Sequence, residues 1–388
     1  MTLAERQRAL GGLLAACRDL WHPQPFREPR PAWCGRLPAL AAQLLALDDA
    51  TAEHLNSDGE AGLRLVAAAV PDLHALAALV QLPVAEGEPA GDPGRRWDWE
   101  IPGRKRQQVE AFAAASRQSG LPLLDWCGGK GHLGRLLALA WQVPATSLDV
   151  DAVLCEDGRA LARRSGAEQA FLAADALAAD HVLLPERHLV ALHACGDLHR
   201  HAVVVGAARG VRALDVAPCC YYRGVADRYR PLASADLGLS RDDLRLAVTE
   251  TVTASPRLRR QRDRAMAWKL GFDAWRREMQ GDAYRPFKPV KEAWLRAPFG
   301  EFCRAMAERE GLPAPTATVA DDFEVAGWRR QREVLRLSIL RHAFRRGLEV
   351  WLAGDLALHL EEAGYRVALQ TFCPRHLTPR NLLLSARR

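Results

Sequence analysis

The chain has 388 residues, of which 49% are hydrophobic and 26% are charged, and its formal net charge is +6. This length and apolar content predict a globular protein with two domains, or one domain with a large insertion. The nine cysteines are scattered without C-x-x-C spacing, which excludes the pattern of a disulfide framework or a four-cysteine zinc site. No apolar run approaches the roughly 20 residues that cross a membrane, so we expect a cytoplasmic protein with no membrane partner. The slight basic excess permits an anionic partner such as RNA but does not require one.

The first 85 residues show a helical periodicity rich in Leu and Ala. Leu10, Leu14 and Trp21 recur at helical spacing, which indicates that the chain starts with an amphipathic helix rather than a signal peptide. A stretch dense in Gly, Pro and charge at 86–103 predicts a linker. We therefore assign 1–100 to a helical N-terminal domain.

Short apolar runs alternate with helical segments between 121 and 220, which predicts a parallel, doubly wound α/β sheet. Residues 227–328 are rich in Arg, Trp, Phe and Pro and show no strand order, so we treat them as an insertion after the fifth strand. The pattern of 332–364 predicts one long helix capped by Gly364, and the two apolar runs that follow predict an antiparallel hairpin that closes the sheet. The sheet domain is assigned to 101–226 and 329–388.

A glycine-rich loop follows the first predicted strand, in the stretch LLDWCGGKGHLGR at 123–135. Glycines let the backbone approach a ligand closely, and the helix that follows presents free N–H groups, so a nucleotide-like ligand is expected. Gly129, Gly131 and Gly134 fit G-x-G-x-x-G and Asp149 lies 20 residues after Gly129, which is typical of a dinucleotide site. Against this, the carboxylate of Asp125 would repel a pyrophosphate.

S-adenosylmethionine fits the same loop better. Its sulfonium and α-ammonium groups are cationic, so they pair favourably with Asp125. Asp149 can accept hydrogen bonds from the ribose hydroxyls, and Asp175 from the adenine amino group. The alternative for Asp149 or Asp175 is that the side chain merely caps a helix. Three acids at the ends of three successive strands favour the sulfonium cofactor.

These motifs resemble a known family. LLDWCGGKGHLGR, VALHACGDL, DVAPCCYYR and the terminal LTPRNLLLSA are similar to the methyltransferase family with a G-K-G-[HY]-L loop. That family includes the acceptor-stem tRNA 2′-O-methyltransferase, ribosomal RNA adenine dimethylase-like proteins and the glutathione S-transferase C-terminal-domain protein. The resemblance covers 104–225 and 329–388. It implies a Rossmann-like class I fold that binds S-adenosylmethionine.

The resemblance also implies roles for individual positions. It places Asp125, Gly129 and Gly131 in the cofactor loop and Asp149 at the ribose. It places His193, Cys195, Gly196 and Asp197 in the loop after the fourth strand, and Cys219 and Cys220 after the fifth. The chain departs from the family where Cys127 replaces the usual first glycine, which is tolerable if φ there is negative, and where Gln107 and Gln108 replace a His-Glu pair. The predicted cofactor-binding residues are Asp125, Cys127, Gly128, Gly129, Gly131, Asp149, Asp175, Ala176 and His193.

The predicted catalytic residues are His193, Asp197, Cys219 and Cys220, because ligands of an open α/β sheet lie at the carboxyl ends of its strands. Methyl transfer is an in-line displacement that needs positioning, and a base only where the acceptor has a proton to lose. His193 or Asp197 could be that base. The alternative is that His193 packs against adenine and Asp197 caps the next helix.

Adjacent Cys219 and Cys220 allow three interpretations. One cysteine could attack a pyrimidine, as in 5-methylcytosine RNA methyltransferases, although there the similar stretch follows the fourth strand. Together with Cys195 and a histidine (His193, His199 or His201) they could bind zinc, but adjacent cysteines rarely share one metal well, and we predict no metal. We favour small side chains that shape the acceptor pocket, with Tyr221, Tyr222 and Arg223 as its wall.

Residues 255–296 interleave basic and aromatic side chains, which is what contact with RNA requires. The alternative is an amphipathic helix with a solvated basic face and an aromatic core face. We predict a methyltransferase of structured RNA such as tRNA or rRNA, with a small molecule or protein as alternative substrates. A nicotinamide-dependent oxidoreductase and a non-catalytic adaptor are the other classes considered. The sequence does not indicate an oligomeric state.

Overall fold

The computed structural model describes residues 1–87, 91–94, 97–250, 255–281 and 284–388. The chain forms two compact units. The sheet unit comprises Met1–Ala15, Ala75–Glu250 and Arg345–Arg388, and the helical unit comprises Ala16–His74 and Thr251–Phe344. Part of the predicted linker, at 88–90 and 95–96, lies outside the described residues.

Seven strands make one sheet in the sheet unit. They are β1 (Leu123–Trp126), β2 (Ala145–Asp149), β3 (Gln169–Ala173), β4 (His188–Cys195), β5 (Ala213–Cys219), β6 (Arg366–Thr371) and β7 (Leu382–Arg387). Their order is β3-β2-β1-β4-β5-β7-β6. The first five strands pair in parallel, and β7 pairs antiparallel with both β5 and β6. The predicted doubly wound sheet with its closing hairpin is confirmed.

The described residues form α-helices along the whole chain, and none of those helices is long and apolar enough to cross a membrane. They are α1 (Leu3–Ala16), α2 (Arg18–Trp21), α3 (Trp33–Arg36), α4 (Pro38–Leu45), α5 (Asp49–Ser57), α6 (Gly59–Ala67), α7 (Leu73–Leu79), α8 (Gly103–Ala115), α9 (His132–Trp141), α10 (Ala152–Ser165), α11 (Asp197–Ala208), α12 (Arg241–Leu246), α13 (Pro256–Gln280), α14 (Phe299–Glu310), α15 (Ala317–Ala343) and α16 (Arg345–Glu362).

Apolar side chains fill both faces of the sheet. On one face, residues of α11 and α16 such as Val203 and Leu356 pack with Leu124 and Leu214. On the other face, residues of α8 and α9 pack with alternate strand positions such as Leu123 and Val190. Parallel strands covered on both faces are largely hydrophobic, so most functional groups are expected where the strands end.

The single long helix predicted for 332–364 is wrong. Two helices, α15 and α16, are separated at Phe344, and neither a glycine nor a proline marks the break. The division between the two units falls at the same point, so α15 packs in one core and α16 in the other. The predicted end of the helix is confirmed: Gly364 has φ +87°, and Tyr365 N–H donates to Leu360 O at 3.0 Å, which is a Schellman cap.

The helical unit has its own aromatic core, built from α13, α14 and α15. Trp268, Phe272 and Trp275 are buried there against Phe299 and Phe302. The predicted boundary at 328/329 lies inside α15, and 16–74 is grouped with 251–344 rather than standing alone.

Candidate active site

The glycine-rich loop joins β1 to α9 through left-handed backbone. Cys127, Gly129 and Gly131 have φ angles of +55°, +58° and +64°. We expected a cysteine at position 127 to be tolerated because its φ angle would be negative. The φ angle is positive, so that expectation is wrong. A side chain in this region costs roughly 1–2 kcal/mol, and such strain persists where the surrounding structure imposes it, often at functional sites.

Two glycines of the loop are required by close packing. A Cβ atom on Gly128 would lie 2.4 Å from Oδ2 of Asp125, and one on Gly131 would lie 2.3 Å from Nε2 of Gln169. Gln169 donates from Nε2 to Gly131 O and to Ser147 Oγ, each at 2.8 Å. The loop is therefore held from behind by a side chain of β3 that the sequence analysis did not single out.

Asp125, at the end of β1, is almost fully buried. Its Oδ2 accepts hydrogen bonds from Ser147 Oγ at 2.8 Å and from Gly134 N–H at 3.1 Å. Burial raises the pKa of this carboxyl, against these hydrogen bonds and the nearby ammonium of Lys105. Burial lowers the pKa of Lys105, while Asp125 and Cys219 act to raise it. Lys105 thus places a cation near the carboxyl ends of β1 and β5. The sequence analysis did not single it out, although it considered Gln107 and Gln108 just after it.

Asp149 and Asp175 follow β2 and β3, as expected. Asp149 accepts from Gly129 N–H through Oδ2 at 2.8 Å, and α10 is capped by Asp151 instead. Asp149 is therefore part of the loop and is not a helix cap. Asp175 does cap the short 3₁₀ turn Ala176–Ala178, with Leu177 N–H donating at 3.0 Å, and Ala176 is buried.

The C-terminal part of β4 has an irregular backbone, and His193 and Cys195 lie within this strand rather than in the loop after it as expected. The β4–β5 register shifts between Leu192 and Cys195, and His193 has φ +65°. The His193 Nδ1 atom is buried and has no hydrogen-bond partner in the described part of the chain. Burial, with Lys105 and Arg380, lowers the pKa of His193 to about 4. The imidazole is therefore neutral at physiological pH. Its unpartnered ring nitrogen can accept a hydrogen bond, but the ring is a weak base.

Three thiols meet between the ends of β4 and β5. Cys195 and Cys219 are paired in register, and their Sγ atoms are 3.4 Å apart. The Sγ atoms of Cys195, Cys219 and Cys220 all lie within 4.8 Å of one another. Hydrogen bonds from the other two thiols, with Arg223 and Arg380 nearby, lower the pKa of Cys220.

Asp197 occupies a different place from His193. It begins α11, and a Cβ on Gly224 would lie 2.0 Å from its Oδ2. Asp197 and Tyr221 line a cavity of about 660 Å³ whose lining includes none of the cofactor-loop residues at 125–131. Tyr221 is buried, and its hydroxyl has no partner among the described residues. The catalytic roles of Asp197, Cys219 and Cys220 stay predictions.

The strand order and the loop define the class of the protein. A sheet of order 3-2-1-4-5-7-6 with an antiparallel seventh strand, carrying acids at the ends of β1 and β2, is a Rossmann-like methyltransferase fold. Residues 104–226, about a third of the chain, match the family model described as a methyltransferase domain. The comparison with curated proteins gave no match. The protein is thus an S-adenosylmethionine-dependent methyltransferase.

The residues present fit that cofactor. Gly128 and Gly131 let the loop pack closely against Asp125 and Gln169, and the buried Nδ1 atom of His193 has no partner among the described residues and is open to a ligand. When bound, S-adenosylmethionine supplies an electrophilic methyl group on a sulfonium. We expect Asp125 and Asp149 to orient its cationic and ribose groups. The assignment of these residues to the cofactor stays a prediction.

Proposed function

We propose that this methyltransferase acts on structured RNA. The observation that carries the proposal is the exposed basic start of α13. Arg257, Arg259, Arg260, Arg262 and Arg264 all lie within its first nine residues, and all are exposed. Arginine clusters of this kind bind phosphates. The finer resemblance to the G-K-G-[HY]-L family, whose members include a tRNA methyltransferase, supports the same substrate class.

Two of these arginines are available to a partner. Arg259 pairs with Glu53 at 2.7 Å, and Arg264 lies 5.6 Å from the ring centroid of Trp268. Arg260 and Arg262 form no hydrogen bond or ion pair with any described residue. We therefore expect these two, with Arg257, to provide most of the affinity for phosphate.

The aromatic half of the predicted RNA surface is not exposed. Trp268, Phe272 and Trp275 are buried in the helical unit. For these three side chains the alternative given above, an aromatic face of α13 that packs into a core, is the correct one. Base stacking on these three side chains is not part of the proposal. Residues 282 and 283 of the stretch lie outside the described residues.

The proposal is tested by charge reversal. Arg257→Glu, Arg260→Glu and Arg262→Glu are combined, and Arg259 is left intact because its reversal would also repel Glu53. Three lost phosphate contacts should lower the slope of log K against log salt by roughly 2–3. Filter binding to total tRNA over a salt series measures this slope.

The matched control reverses three other exposed arginines of the helical unit, Arg304, Arg329 and Arg332, and so changes the net charge equally. We expect it to keep most of the affinity and slope. In parallel, tritiated S-adenosylmethionine is incubated with RNA, protein and small-molecule fractions of a cell extract. An RNA substrate would be refuted if the two triple variants lost equal affinity for tRNA. It would also be refuted if the tritium label entered only the protein or small-molecule fractions.

A further inference from the structure

The thiols of Cys195, Cys219 and Cys220 form a cluster at the carboxyl ends of β4 and β5. Cys195 and Cys219 end adjacent parallel strands, and their Sγ atoms are 3.4 Å apart. The third thiol is close enough that all three sulfurs lie within 4.8 Å of one another. Thiolates at about 2.3 Å from a tetrahedral zinc ion lie roughly 3.8 Å from one another, so small adjustments bring this set to coordination distance.

Backbone geometry explains how two consecutive cysteines can share a site. In regular strand geometry successive side chains point to opposite faces, which is why the sequence pattern alone disfavours a metal. Cys220, however, has φ +47°, so the chain leaves the strand conformation directly after Cys219. On β4, the register shift before Cys195 reorients that residue toward Cys219. Two separate departures from strand geometry thus bring the three thiols together.

No described residue supplies a fourth ligand to the cluster, and His193, His199 and His201 all lie outside it. The group contains no histidine or carboxylate from the described part of the chain. His199 bonds to Ala194 O through Nδ1 at 3.0 Å, and His201 pairs with Asp180 at 2.7 Å, so both imidazoles are engaged elsewhere. Structural zinc sites use four protein ligands, whereas catalytic sites keep one position open.

Three cationic side chains lie near the cluster. Lys105 interacts electrostatically with Cys219, and Arg223 and Arg380 do so with Cys220. Three thiolates and one divalent cation carry a net charge of −1, which these cations offset. The cluster also lies within electrostatic range of Cys127 in the cofactor loop.

We propose that Cys195, Cys219 and Cys220 bind a thiophilic divalent cation, for which Zn²⁺ is the best fit, and leave its fourth coordination position open. That position would take the heteroatom of the methyl acceptor, which loses its proton to solvent on coordination; the heteroatom then bonds to the methyl group as the methyl–sulfonium bond breaks and S-adenosylhomocysteine leaves. The second part rests on the methyltransferase activity, whereas the metal site itself does not depend on the substrate.

The experiment measures metal binding directly. Reduced, metal-stripped full-length protein is titrated anaerobically with Co²⁺, which reports thiolate ligands by charge-transfer absorption and tetrahedral geometry by d–d bands. Zinc is then added to displace it. We expect one equivalent of Co²⁺ with both features, displaced by Zn²⁺. Absence of these bands in folded protein with all nine thiols titratable would overturn the proposal.

Variants locate the site. Cys195→Ser, Cys219→Ser and Cys220→Ser should each weaken Co²⁺ binding by more than the roughly 10–100-fold that loss of an outer-shell partner causes, and each should reduce the charge-transfer intensity. Cys34→Ser, a half-buried thiol of the helical unit, is the matched control and should bind as wild type. Binding that survives all three changes contradicts the assignment.

A measurement on the wild-type chain covers the case in which a variant does not fold. Alkylation followed by mass spectrometry should show that Zn²⁺ protects Cys195, Cys219 and Cys220 and leaves Cys34 reactive. A Cys195–Cys219 disulfide in protein purified anaerobically would refute the metal site. Calorimetry with S-adenosylhomocysteine on the metal-stripped protein separates the two proposals, because retained binding without any metal site leaves the methyltransferase assignment standing.

Discussion

At the scale of single residues, Cys127 of the glycine-rich loop has a strained backbone. Cys127 carries a side chain at φ +55°, where glycine is favoured, and burial raises the pKa of its thiol to about 12. The thiol is therefore neutral and is not a nucleophile at physiological pH. The position is explained by backbone shape rather than by sulfur chemistry.

Replacement of Cys127 by glycine should relieve this strain. The relief of roughly 1–2 kcal/mol opposes the lost packing and the greater freedom of glycine in the unfolded chain. We expect Cys127→Gly to unfold at or above the wild-type temperature. Cys34→Gly, the same change inside helix α3, should destabilise by about 1 kcal/mol. Thermal unfolding measures the melting temperatures of both variants. A Cys127→Gly protein that is destabilised as much as Cys34→Gly would contradict the strain argument.

Removal of the Asp125 charge separates cofactor binding from stability. Burial raises the pKa of this carboxyl in the folded protein. The free energy of unfolding therefore falls as pH rises above the pKa that the carboxyl has in the unfolded chain. Asp125→Asn should therefore keep or raise the melting temperature at pH 7. It should also lower the affinity for S-adenosylhomocysteine, whose α-ammonium group remains, by about tenfold or more, since a hydrogen bond to a charged group contributes about 1.5–3 kcal/mol.

Ser147→Ala is the control for Asp125→Asn. It removes a hydrogen bond to the same Oδ2 atom but leaves the charge, so we expect a smaller loss of affinity. Calorimetric titration measures both variants. Unchanged affinity in Asp125→Asn would remove the pairing between this carboxylate and the cofactor.

At the scale of elements, a buried charged group joins the closing hairpin to the parallel sheet. Asp215 of β5 is fully buried and accepts from Arg387 of β7 at 2.7 Å and 3.1 Å, while His188 Nε2 of β4 lies 2.8 Å from its Oδ2. Burial alone would raise the pKa of Asp215, but His188 and Arg387 outweigh it and lower the pKa to about 2. This network holds β4, β5 and β7 in register.

Asp215→Asn should destabilise the protein by about 1.5–3 kcal/mol, because Arg387, whose side chain is 26% exposed, loses hydrogen bonds to a charged partner. The folded pKa lies below the unfolded value of about 3.9, so the contribution is complete above pH 4 and is lost as pH falls toward 2. Urea unfolding from pH 7 to pH 3 should show a flatter acid limb in Asp215→Asn. Ser385→Ala, opposite Asp215 on β7, is the control, and an equal effect there would refute the argument.

For the whole molecule, the division into two compact units implies that cofactor binding and RNA binding can be damaged separately. In the helical unit, α13 and α15 approach at two glycines: a Cβ on Gly327 would lie 2.3 Å from Ala267 O, and one on Gly271 would lie 2.4 Å from Phe323 O. The cofactor-loop residues all belong to the sheet unit. Damage to the helix crossing should therefore leave the cofactor site intact.

Gly327→Ala should destabilise the helical unit by about 1–3 kcal/mol through overpacking and weaken binding of tRNA. It should leave affinity for S-adenosylhomocysteine within about twofold of wild type, a difference well under 1 kcal/mol. Gly300→Ala, where a Cβ meets only Ala320 at 3.8 Å, is the control. Calorimetry and filter binding report the two functions, and a parallel loss of both in Gly327→Ala would refute their separation.

The sheet, its parallel and antiparallel parts, the cofactor class and the helix cap at Gly364 could all be predicted from the amino-acid sequence. These features are local, because strand alternation, glycine spacing and an acid at a strand end each involve only a few neighbouring residues. The break at Phe344, the burial of Trp268 and Trp275, and the contact of Cys195 with Cys219 and Cys220 became evident only from the folded structure. Each of these depends on which distant segments share a core or adjoin in the sheet. The thiols are 24 residues apart in the chain and become neighbours because β4 and β5 are paired.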